Sequence, residues 1–180
     1  MSSSRAVVDS LVRQLDHTLE ETAGEFSFDH WHSIMWNLHN VRPEDWEAVP
    51  PGGGRSIGEI VPHIGMCYLM YENQAFGDRS RQWGDGQIEG GPRPQTQEEW
   101  TAWLRSAHRI FRDSVAALTD DQLDDLVYAP WGDQLPAWRI VELMIQHGTY
   151  HCGEINHIRA LLQGNDDWDH QDMGRDDDQS

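Results

Sequence analysis

His147 and His151 stand four residues apart in the segment Gln146 to Leu162, QHGTYHCGEINHIRALL, which reads as one long helix. At about 100° per residue, four steps return the second side chain to within roughly 40° of the first, about 6 Å further along the axis. Two imidazoles so placed can grip one metal ion. The apolar positions Ile140, Leu143, Met144, Ile155, Ile158 and Leu162 recur at helical period in line with both histidines, so the pair faces the core. Burying a neutral imidazole costs free energy unless its ring nitrogens find partners, and a divalent cation supplies one. The H-x-x-x-H spacing by itself is a short motif, and it lacks the glutamate after the first histidine that marks zinc proteases.

A second histidine-bearing helix is legible from Ser56 to Phe76, SIGEIVPHIGMCYLMYENQAF. Ser56 with Glu59 has the form of a capping box, and the glycine run from Gly52 to Gly54 breaks any earlier structure. Ile57, Ile60, Ile64, Cys67 and Tyr71 set its apolar stripe, and His63 falls on that buried side. Pro62 removes a backbone hydrogen bond and is expected to bend the helix where His63 projects. Three inward-facing histidines on two helices are therefore expected to converge.

The segments PPGGGRSIGEIVPHIG and HGTYHCGEINHIRALLQG resemble the DinB-like superfamily of metal-binding four-helix proteins, which includes bacillithiol and mycothiol S-transferases. That family carries one histidine on its second long helix and an H-x-x-x-H pair on its last, positions matched here by His63, His147 and His151. The resemblance implies that these three coordinate a divalent metal, commonly zinc or nickel, with positions left for water or substrate. Cys152 stands where relatives often have a basic residue, and Glu154 where a glutamine is common. Both departures bear on the substrate more than on the metal.

Three neutral nitrogen ligands leave a divalent ion with an open position and its full charge, an arrangement suited to catalysis. Glu154 lies about one turn past His151 and could serve as its hydrogen-bonding partner, as a fourth ligand or as a proton shuttle; a helix-surface carboxylate is the competing reading. Cys67, one turn after His63, could approach the metal, but a cysteine on an apolar stripe is read as a small buried hydrophobe. His108 is placed beside the stripe of its helix and excluded as a ligand, and His30, His32 and His39 are read as surface or capping residues. Arg159 is expected to pair with an acidic group. Tyr68, Tyr71 and Tyr150 are read as core or rim aromatics.

The remaining elements must hold these groups in place. A first helix is expected from Ser4 to Thr22 with Val8, Leu11, Leu15 and Leu19 inward, a shorter helical piece from Asp29 to Leu38, and one turn over Pro43 to Trp46. Gly77 to Gln95 reads as a long loop whose Trp83 could cover a pocket mouth. Thr96 with Glu99 starts a helix to Leu118, Thr119 to Leu126 suggests a short acidic helix, and YAPWGDQLPAW an irregular link. Pro136 suits the first turn of the last helix and Gly164 its C-terminal cap. The expected fold is an all-α four-helix bundle of the DinB-like metalloenzyme type over residues 1–165, followed by an acidic tail over 166–180.

Charge and composition narrow the function. The net charge of −18, with an aspartate-rich end, opposes nucleic-acid binding. All thirteen basic residues are arginine, so Schiff-base chemistry, a pyridoxal aldimine and a Walker-type loop are excluded. The N-terminal residues alternate charged and apolar groups, unlike a signal peptide or membrane anchor, and point to a cytoplasmic protein. Cys67 and Cys152 are expected to be reduced. Nine tryptophans exceed what one small core hides, which suggests a homodimer with Trp31, Trp36 and Trp168 as candidate anchors. The family reading is a metal-dependent thiol S-transferase or thiol-assisted isomerase. In it a low-molecular-weight thiol such as mycothiol or bacillithiol attacks a small electrophile. The alternatives are a hydrolase or other detoxifying enzyme that activates water, and a non-catalytic small-molecule-binding protein.

Overall fold

The computed structural model describes residues 4–20, 32–83 and 94–165. Five α-helices lie among them: α1 Ala6–Leu19, α2 Ile34–His39, α3 Ile57–Ala75, α4 Gln97–Ala116 and α5 Ala137–Gln163. The four long ones form a closed ring in which α1 packs on α4 and α5, and α3 packs on the same two. The short α2 lies against α5. No described helix is long and apolar enough to cross a membrane.

Apolar periodicity explains which faces turn inward. Val8, Val12, Leu15 and Leu19 bury the inner face of α1, and Trp100, Leu104, Phe111 and Val115 that of α4. Ile110 departs from the pattern and stands exposed. His108 corrects the expectation from spacing: it is buried, its Nε2 lying 3.1 Å from the carbonyl oxygen of Leu15 on α1. That contact ties α4 to α1 and leaves the ring committed to structure.

Helix ends follow the chemistry of their flanking residues. Ser56 and Thr96 each accept from the amide of the glutamate three residues on, which returns the bond, so both expected capping boxes form. Helix α3 continues through Pro62. Arg5 offers α1 no side-chain cap, and Asp120 instead accepts from the amides of Val7 and Val8 at 3.1 and 3.0 Å. Gly164 ends α5 in the left-handed region at φ 65°.

The link before α5 is more regular than its sequence suggested. The acidic segment is a 3-10 helix, Asp120–Asp124, and β1 Leu126–Tyr128 pairs antiparallel with β2 Gln134–Pro136, placing Val127 opposite Leu135. Three-residue strands are too short to register as alternation, so the hairpin was unreadable in advance. Pro136 closes β2 and occupies the N-cap of α5. Arg159 is buried and binds the side-chain oxygens of Asn156, Gln163 and Asn165 instead of the expected carboxylate among the described residues. Trp36 is partly buried and stacks on His39, whereas His30, Trp31, Trp168 and the 166–180 tail lie outside the described residues.

Candidate metal centre

Helices α3 and α5 bring His63, His147 and His151 to one place. The Nε2 of His147 lies 3.2 Å from Nε2 of His63 and 3.1 Å from Nε2 of His151. His151 is buried, while His63 and His147 are half-buried, so the cluster has a closed side and an accessible one. The spacing that predicted a shared face on α5 is thus realised, and His63 meets that face from the neighbouring helix.

The electrostatics favour unprotonated rings. Burial, then the charge of His151 and His63, pushes His147 down to about 4. Burial is also the main cause of the lowered pKa values of His63 and His151. Near neutral pH all three carry lone pairs rather than charge.

Glu154 fixes which lone pair His151 offers. Burial alone would raise its pKa, but hydrogen bonds from His151 and Arg55 outweigh it and hold the carboxyl below its ordinary range. An ionised carboxylate can only accept, so in the 2.7 Å contact the proton sits on Nδ1 of His151. The Nε2 facing His147 is left free. On the other side Nη2 of Arg55 donates to both carboxylate oxygens, at 2.8 and 3.1 Å. Of the roles the sequence allowed Glu154, the structure places it as the partner of a candidate ligand.

The donor set fits a divalent ion of the zinc type. Two nitrogens each about 2.0–2.1 Å from one tetrahedral ion stand roughly 3.3 Å apart, close to the two separations His147 makes with His63 and His151, whose own rings lie 5.1 Å apart at their centroids. Nδ1 of His147 is buried without a hydrogen-bond partner among the described residues. Three imidazoles crowded together with Nε2 of His147 facing both neighbours make an expensive arrangement for a merely structural core.

Cys67 is nearer than its reading as a plain core residue implied. Its Sγ lies 3.9 and 3.8 Å from the two ring nitrogens of His63, and donor atoms of His63, Cys67 and His147 all fall within 4.8 Å of one another. Among the described residues that mutual closeness holds for His63, Cys67 and His147, while His151 joins through the 3.1 Å contact of its Nε2 with His147 and a ring centroid 5.1 Å from that of His63. Burial pushes the Cys67 thiol up to about 12, so it keeps its proton in the metal-free protein. The imidazoles alone present ready lone pairs, which favours the three-nitrogen set.

The family model of the DinB superfamily matches residues 29–155, well over half of the chain and inclusive of all three histidines. The chain belongs to the DinB superfamily. No curated protein matched it. Within this DinB member, the sequence singled out the histidines and Glu154 as candidates and did not point to Arg55, which the fold brings to them. The available signal was small: Arg55 is the one charged residue of PPGGGRS, next to the N-cap of α3.

Cavities lie apart from the cluster. One of about 420 Å³ opens between α1 and α5 and is lined by Arg13, Gln14, His17, Thr18, Ile145 and Thr149. Ile145 and Thr149 are each two residues from His147, about 200° round the helix, so this cavity lies across α5 from the histidines. Another of about 580 Å³ lies beside α2 and the start of α4. Trp83, the expected cover of a pocket mouth, is 52% exposed.

Proposed function

We propose that this DinB-superfamily chain is a divalent-metal-dependent thiol S-transferase or thiol-assisted isomerase acting on a small electrophile, with His63, His147 and His151 as the metal ligands. The observation that carries the metal reading is the meeting of three Nε2 atoms at 3.1 and 3.2 Å across α3 and α5. Zinc or nickel suits neutral nitrogen donors. When bound, such an ion supplies positive charge that lowers the pKa of a thiol beside it.

The chain's own groups do the rest. Burial keeps the three rings unprotonated, so no proton must be displaced from their Nε2 atoms near neutral pH. Glu154 holds His151 in the Nδ1–H tautomer, aiming its Nε2 inward. The half-buried His63 and His147 mark the side from which a low-molecular-weight thiol, mycothiol or bacillithiol, and its electrophile would approach. Attack of the thiolate sulfur on an electrophilic carbon forms the new C–S bond, and the leaving group departs with the electron pair.

Protein purified without chelator should carry about one equivalent of metal under this three-ligand arrangement. Each of His63→Ala, His147→Ala and His151→Ala should weaken its retention, whereas His17→Ala and His157→Ala should not. Turnover of a reactive electrophile with mycothiol or bacillithiol, lost when metal is stripped, is the activity expected. Hydrolysis of an ester or amide without any thiol requirement would move the assignment to a hydrolase, and metal uptake without turnover would leave a binding protein.

A further inference from the structure

We infer that Arg55 is a positioning residue of the metal centre, acting through Glu154 to hold His151 with its Nε2 turned toward His63 and His147. The inference rests on the metal-binding reading above and adds a residue outside the three histidines and their carboxylate partner.

The turn before α3 delivers this side chain. Gly52 adopts φ 78°, a left-handed conformation that costs other residues free energy, and the amide of Gly53 donates to the carbonyl of Pro50 at 2.8 Å. Three residues after Gly52 the chain leaves the turn at Arg55, and Ser56 immediately caps α3. One short segment therefore does two jobs. Its serine fixes the start of the helix that carries His63, and its arginine reaches across to Glu154 on the helix that carries His147 and His151.

The contact is specific in form. A single nitrogen of Arg55 engages both oxygens of Glu154, and one of those oxygens, Oε2, also accepts from His151. Left with His151 alone, Glu154 could rotate about its terminal bonds, and the ring it steadies could turn with it. Pinning both oxygens removes that freedom. Partners of metal-binding histidines commonly affect metal affinity by 10–100-fold, and Arg55 stands one step further out, so a loss of about 10-fold is expected on its removal.

The test is Zn²⁺ affinity of the full chain by chelator competition, together with the ¹⁵N signals of the metal-free imidazoles. Arg55→Met, which keeps an apolar stem, should weaken Zn²⁺ binding by about 10-fold. Glu154→Ala should weaken it at least as much, and the double variant should be no weaker than Glu154→Ala alone, because Arg55 acts through that carboxylate. The Nδ1–H signal of His151 should lose its hydrogen-bonded character in Arg55→Met. Should that variant fail to fold, Arg55→Gln carries the same test, since its shorter, neutral amide cannot pin both carboxylate oxygens of Glu154; it should also weaken binding by about 10-fold.

Wild-type affinity within about twofold in Arg55→Met, or losses that multiply in the double variant, would overturn the role of Arg55 while leaving the metal centre standing. A wild-type chain that takes up neither Zn²⁺ nor Ni²⁺ would instead remove the metal reading itself.

Discussion

Gly148 sits between His147 and His151 on α5, where that helix packs against Thr18 of α1, and Gly148→Ala is a sharp test of the packing that sets both histidines. An added Cβ would fall inside contact distance of Cγ2 of Thr18, while Oη of Tyr68 and Cδ1 of Ile34 would stand at ordinary contact distances of 3.6 and 3.8 Å. One methyl group is thus the obstacle. Thr18 is buried and its Oγ1 donates to the carbonyl of Gln14 at 2.8 Å, so rotating the methyl away would break that bond. Overpacking of this kind costs about 1–3 kcal/mol, whereas alanine in a helix interior is favoured over glycine by about 1 kcal/mol. The substitution alone is expected to be neutral to destabilising, by up to about 2 kcal/mol. In a Thr18→Ser background the methyl is gone, the hydroxyl remains, and Gly148→Ala should stabilise by up to about 1 kcal/mol. Urea unfolding of the four metal-free proteins would give the coupling, expected at about 1–3 kcal/mol. An effect of Gly148→Ala that is the same in both backgrounds within about 0.5 kcal/mol would refute the close approach of α1 and α5.

Acid should destabilise the metal-free protein. His147 titrates at about 4 when folded and near 6.5 when unfolded, so between those values the unfolded chain binds more protons and stability falls as pH drops from 6.5 to 4. The full shift corresponds to about 3 kcal/mol, and the ring's partial access to solvent brings the expected loss to roughly 1–2 kcal/mol; a His147→Gln variant with an equally steep pH profile would contradict this. Cys67→Ala should leave Zn²⁺ affinity within about threefold of wild type if the three imidazoles are the ligands, and a loss as large as that of His63→Ala would transfer the third position to sulfur. The chain is expected to form a two-fold dimer: Trp131 and Trp138 are 54% and 41% exposed, and aromatic anchors favour interfaces. A strictly monomeric mass in light scattering at micromolar concentration would remove that expectation.

Amino-acid order alone determined whatever depends on contacts within a few residues. The Ser56–Glu59 and Thr96–Glu99 caps, the left-handed Gly164 and the shared face of His147 and His151 are local, because helical geometry fixes where the next turn's side chain lies. The buried stripes of α1, α3, α4 and α5 follow from the same period, and with them the all-α bundle. Tertiary structure decided everything that requires two distant segments to meet at a given rotation. Spacing placed His108 beside its stripe, but the bundle buries it against Leu15. Cys67 is one turn from His63 in any helix, yet only the docking of α3 against α5 brings donor atoms of His147 within 4.8 Å of both. Glu154 was open to several roles in sequence, and its second contact, with Arg55 ninety-nine positions earlier, came only from the fold. Local periodicity can say which face a residue occupies, but the partner across that face is set by how helices dock, which no single segment encodes.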